Sequence, residues 1–217
     1  LFFSKCIPNP ESLYISFFSI ITMEVTAKED IILTERKERI AKLFKDKYCW
    51  LVYLILAALV WFALWLRTLN LSRLRDVTTG GWTLGPDLDP FLFLRWAQYI
   101  VQHGSLMAVD TMRYVPLGYE TKGELIFLSY MITWFHYIAS WFGAESVAHS
   151  AVLFPAVMFG FTVIAFFFLT RKIFIDSLGM TKANIVALIS SFFLIIIPSL
   201  LPRTIAGIPE KESVGFL

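Results

Sequence analysis

Two acidic pairs stand out from an otherwise apolar chain. Asp87 and Asp89 lie in Gly85-Pro86-Asp87-Leu88-Asp89-Pro90-Phe91, and Glu210 and Glu212 close the stretch Arg203-Thr204-Ile205-Ala206-Gly207-Ile208-Pro209-Glu210-Lys211-Glu212. Carboxylates two positions apart project the same way from an extended or turning backbone, so each pair is able to face one cation. Each pair also has a plainer reading. Asp89 precedes Pro90 and an apolar-periodic run that ends at Gln102-His103-Gly104, where it would cap a helix by accepting backbone N–H bonds. Glu210-Lys211-Glu212 would be a solvated charge cluster, with Arg203 and Lys211 as anchors that snorkel to an interface. For Asp89 the two readings are compatible, because one carboxylate oxygen can cap while the other binds an ion.

The elements that must position these acids are apolar. Of 217 residues, 57% are hydrophobic and 17% aromatic against 17% charged, which marks an all-α polytopic membrane protein with the lipid bilayer as its partner. A net charge of +2, with the basic residues grouped at the ends of apolar runs, gives no reason to expect a nucleic acid partner. Cys6 and Cys49 have no metal or redox spacing. His103, His136 and His149 have no ligand spacing to one another, so packing is the better reading for each.

Taken in order, residues 1–22 precede the first methionine, Met23, and are expected to lie upstream of the true start. Residues 23–47 read as an amphipathic cytoplasmic segment whose lysines and arginines crowd the first span. That span is expected over 48–66, and 67–146 is an external loop with helices near 90–103 and 125–142. A second span over 147–170, a cytoplasmic loop over 171–182 and a third span over 183–201 lead to a last external stretch, 202–217. The segment 125–142 is apolar enough to cross, yet it carries Ser129, Thr133, His136 and Ser140 among its tryptophans. If it crosses, Arg171-Lys172 falls outside and Glu210 inside; the positive-inside rule favours the arrangement in which it does not, with both acidic pairs external.

With this order in place, Asp89-Pro90-Phe91 to Arg95, Tyr114-Val115-Pro116, and Arg203-Thr204-Ile205-Ala206-Gly207 followed by Glu210-Lys211-Glu212 resemble the N-terminal part of the catalytic subunit of oligosaccharyltransferase, closer to its archaeal than its bacterial branch. The resemblance covers roughly residues 24–217. It implies a multi-span glycosyltransferase of the GT-C type, transferring a glycan with inversion from a polyprenyl phosphate or diphosphate carrier, dolichol among them, to the asparagine of Asn-x-Ser/Thr in an acceptor polypeptide. It further implies that Asp89 and Glu210 are catalytic and bind manganese or magnesium with support from Glu212, and that Arg203 is a candidate substrate-binding cation.

A carboxamide nitrogen is a poor nucleophile, so a site must position it and take up its proton, and carboxylates serve that need. Oxygen donors suit magnesium and manganese better than zinc. The family usually has aspartate where Glu210 stands, and its later external acid and Trp-Trp-Asp element are absent from these residues, so residues 1–217 alone are expected to be inactive. The site is expected to face outward from a cell membrane, or to lie in the endoplasmic reticulum membrane if the chain is eukaryotic. A protein O-mannosyltransferase and a non-enzymatic transporter subunit are the alternatives. Acceptor chemistry separates the first, and the second predicts acids inside the spans, where the sequence has none.

Overall fold

The computed structural model describes residues 49–215, and its contacts divide into a unit at 1–53 and a unit at 54–217. The segments 1–22 and 23–47, and the start of the first span at Tyr48, lie outside the described residues. The described part is helical. In order come α1 (Cys49–Thr68), α2 (Asp89–His103), a two-stranded antiparallel hairpin of β1 (Val109–Asp110) and β2 (Tyr119–Glu120), α3 (Phe127–Trp141), α4 (Val147–Leu178), α5 (Met180–Ile196), and the short α6 (Leu201–Thr204) and α7 (Lys211–Gly215).

The apolar character of α1 and α4 sets their exposure. Both are long and apolar enough to cross a membrane, and α5, at 17 residues, is a shorter apolar helix of about 26 Å. Large apolar side chains face outward along all three, among them Trp61, Leu54, Phe161, Ile185, Ile189 and Phe193, as lipid contact requires. α2 instead buries one stripe, Phe93, Leu94, Trp96, Ala97 and Ile100, at helical spacing. α3 packs Leu128, Ser129, Ile132 and Thr133 inward and exposes Trp134, Tyr137, Ile138 and Trp141. Its 15 residues extend about 22 Å, short of a ~30 Å hydrocarbon layer.

Three local boundaries differ from the sequence reading, each for a backbone reason. Asp89 is the first residue of α2 rather than its cap: Leu88 takes the cap position and no side chain caps the helix. The carboxylate still sits in the first turn, where the helix dipole favours it. The basic connection at 171–182 is not a loop. α4 continues through a buried Arg171 to Leu178, and Gly179 alone, at φ 77°, separates it from α5. α5 stops at Ile196 instead of running to 201, because Ile197 precedes Pro198 and takes φ −58°, ψ 120°, the extended conformation that a following proline imposes.

One apolar core lies among the ends of α2, α3 and α4, with Phe93, Leu94, Ile132, Val152 and Phe154 joined by Leu74, Leu84 and Ala206 from the loops. A second gathers Ala63 of α1, Phe159 and Val163 of α4 and Ile195 of α5. At the head of α4 the Ser146 hydroxyl accepts the His149 amide at 3.1 Å, a side-chain cap that fixes where the helix begins. The first core reaches the loop after α6 through Ala206, and the second reaches Leu200, just before α6.

Candidate functional site

The loop after α6 is held by backbone bonds from three directions. The Ala206 amide donates to the Arg67 carbonyl at 2.9 Å, the Gly207 amide to the Val152 carbonyl at 2.9 Å, and the Gly85 amide to the Gly207 carbonyl at 2.8 Å. Asn70 adds a side-chain donor to the Ala206 carbonyl at 2.8 Å. Gly207 has φ +92°, and a Cβ placed there would lie 2.7 Å from Leu74 Cδ1. Only glycine meets both conditions without strain. Gly85 and Gly207 therefore seam the two acidic stretches together.

Glu210 follows the seam. Its side chain is 9% exposed, and Arg203 Nη1 donates to its Oε2 at 2.9 Å from a side chain that is 53% exposed. The Ser213 hydroxyl and amide donate to the Glu210 carbonyl at 2.5 and 3.1 Å, which ties the acid to the start of α7. Burial pushes the Glu210 carboxyl above its ordinary range, the Arg203 hydrogen bond pulls it down, and the Glu212 and Asp87 charges push it further up. The same hydrogen bond to Glu210 raises Arg203, with the charges of Glu210, Glu212 and Asp87 adding to it. Arg203 thus pairs with Glu210 and lies within the field of Glu212 and Asp87.

Asp87 stood out in the sequence beside Asp89 but was given no role of its own there. Its charge acts on both Glu210 and Arg203, because Gly85-Pro86 is stitched to Gly207 immediately before it. The signal was present in the sequence as Asp87-x-Asp89, but period two does not say which of the two exposed carboxylates acts on the second stretch. Asp89 occupies the first turn of α2, and Glu212 sits in the first turn of α7. Among the described residues no three His, Cys, Asp or Glu side chains come together closely enough to hold an ion. The acids expected to bind manganese or magnesium supply suitable oxygen donors, but they do not close into a ligand set in this arrangement.

Arg95, the cation of the Asp-Pro-aromatic stretch, is committed elsewhere. It pairs with Asp110, which is 1% exposed and also accepts the Trp96 indole N–H at 3.0 Å and the Met112 amide at 3.0 Å. This buried carboxylate locks α2 to the hairpin. The Tyr114-Val115-Pro116 stretch forms the hairpin's turn, with Tyr114 at φ 52° and Arg113 lying 4.2 Å over the Tyr119 ring. The histidines pack against neighbours: His149 stacks on Trp82 at 4.3 Å, His103 on Tyr99 at 4.0 Å, and His136 Nδ1 lies 2.8 Å from the Ser150 hydroxyl.

Compared with known proteins, residues 50–214 match the family model described as oligosaccharyl transferase STT3, N-terminal. No curated protein matches the chain.

Proposed function

Because the chain belongs to the oligosaccharyl transferase STT3 family, matching its N-terminal region over residues 50–214, we propose that it moves a glycan from a polyprenyl phosphate or diphosphate carrier to the asparagine of Asn-x-Ser/Thr. Family membership makes it part of an integral-membrane glycosyltransferase of N-glycosylation, with a lipid-linked donor and a protein acceptor. The finer reading rests on one observation. The buried Glu210, clasped by the exposed Arg203, stands where the two acidic stretches are seamed.

In this reading the acceptor amide is brought against Glu210 and Asp89. Glu210 holds a proton more readily than an ordinary glutamate, since burial disfavours its charge, and that suits it to receive one from the attacking nitrogen. Arg203 remains protonated and carries donors that match a phosphate, so it is the cation proposed to face the leaving group. The displacement at the anomeric carbon, with inversion, is then a matter of positioning and charge. Manganese or magnesium belongs to the proposal as the ion for which the Asp89, Glu210 and Glu212 oxygens are chemically suited. Those oxygens do not converge into a ligand set among the described residues.

Topology supports an external site. With α3 lying in the interface and α1, α4 and α5 crossing, Asp89 and Glu210 share the side opposite Lys172 and Lys182, as the positive-inside rule favours. The test uses membranes holding the full-length protein, a polyprenyl-linked glycan and an Asn-x-Thr peptide. Transfer to asparagine is expected, and Asp89→Ala is expected to abolish it. Glycan appearing on threonine in a peptide whose asparagine is replaced by glutamine would favour a hydroxyl acceptor. Residues 1–217 alone should transfer nothing.

A further inference from the structure

Arg67 closes α1 in a setting unusual for a cation. It is 0% exposed, its guanidinium carbon lies 3.3 Å from the Phe159 ring centroid, and among the described residues no carboxylate pairs with it. Its Nε donates to Thr204 Oγ1 at 2.8 Å and its Nη2 to the Ile195 carbonyl at 3.3 Å, while the buried Nη1 has no hydrogen-bond partner. The Arg67 carbonyl also receives the Ala206 amide at 2.9 Å.

An apolar side chain would fill this space without the cost of sealing a charge from water. What a guanidinium adds is reach in two directions from one rigid plane. One arm holds a carbonyl in the last turn of α5, where a positive charge complements the helix dipole. The other holds Thr204, next to Arg203. Thr204 passes the restraint on, since its hydroxyl donates to the Leu200 carbonyl at 2.7 Å.

We propose that Arg67 is a positioning residue for the transfer: by clasping Thr204 and Ala206 it fixes the height and direction of Arg203, and through Arg203 the Glu210 carboxylate. It touches no substrate. The proposal rests on the functional reading above, but its contacts do not, and the experiment separates the two.

In the full-length protein, Thr204→Val removes the Nε acceptor while keeping side-chain volume, and Arg67→Lys keeps the charge but not the fork. Both are expected to lower kcat for an Asn-x-Thr peptide about tenfold or more with KM nearly unchanged, as a small misplacement of reacting groups does. Arg73→Met, at an exposed position, serves as the control. A second readout needs no activity. With every native cysteine of the full-length protein, Cys6 and Cys49 among them, changed to serine and Ala206→Cys installed, maleimide labelling of the sealed position 206 should speed up about fivefold or more in the Thr204→Val background, as local opening is released.

Wild-type kcat together with unchanged labelling in Thr204→Val and Arg67→Lys would overturn the proposal. Should Arg67→Lys fail to accumulate, Thr204→Val decides alone. A wild-type protein that transfers nothing overturns the functional reading, and the labelling then decides whether the clasp exists.

Discussion

The amide of Gly85 donates to the carbonyl of Gly207 at 2.8 Å, joining positions 122 residues apart in a single backbone contact (207 − 85). A side chain would crowd the first end and collide at the second: a Cβ on Gly85 would lie 3.0 Å from Ile208 Cγ1, and one on Gly207 would lie 2.7 Å from Leu74 Cδ1. This contact brings Asp87 within electrostatic reach of Glu210.

Gly207→Ala is therefore expected to destabilise the protein by about 1–3 kcal/mol, since it adds a clash to a positive φ. Thermal unfolding in detergent measures it. Gly104→Ala shares a positive φ but meets no atom within 4 Å, so it should cost less.

Arg203→Gln should leave the Glu210 carboxylate buried without its cation. Because Arg203 is half exposed, the pair is screened and the loss in stability is expected to be about 1 kcal/mol or less. Transfer should suffer far more, about tenfold or beyond, if the same cation faces the leaving phosphate. Chemical denaturation and peptide glycosylation on the same preparation separate the two effects.

Asp110→Asn retains the shape of a buried group but not the charge that Arg95 answers. A loss of about 2 kcal/mol is expected, the scale of hydrogen bonds to a charged group. Hydrogen exchange should place the loosening at the hairpin and the middle of α2. An unchanged exchange pattern there would contradict the locking role given to Asp110.

Asp76 supplies a pH prediction. Hydrogen bonds from the Thr79 hydroxyl, at 2.7 Å, and from the Thr78 amide and hydroxyl lower its carboxyl from 3.8 to about 2. A depressed carboxylate contributes stability above its unfolded value that is lost as pH falls through its folded value. The contribution to the turn at 76–81 should thus be whole at neutral pH, decline as pH falls below 3.8 and be gone near 2, where the folded carboxyl titrates. Selective carbon labelling of aspartate measures that midpoint, and Thr79→Val should move it back toward 3.8.

Several of these features were legible in the sequence and several were not, for separable reasons. Apolar run length marked α1, α4 and α5, and Pro90 with Gly104 bracketed α2 to within a residue, because these signals are local. The ends of α4 and α5 were misplaced because Arg171 and Lys172 read as a boundary, whereas a buried arginine can remain inside a helix when its neighbours give it partners. Ile197-Pro198 was the better stop signal. The nearness of Asp87's charge to Glu210, the Arg95–Asp110 pair and the Arg67 clasp depend on contacts between distant segments, and no spacing rule contains them.

The single-residue joint at Gly179 has a mechanical consequence. Counted from that joint, α5 rises about 26 Å, while Val152 stands about 41 Å up α4, at 1.5 Å per residue. The chain beyond Ile196 must therefore climb roughly 15 Å along its neighbour before Gly207 reaches the Val152 carbonyl. α4 acts as a ruler whose graduations are helical turns: inserting one residue between Val152 and Leu178 would swing that carbonyl by about 100° and leave the acidic loop without its notch.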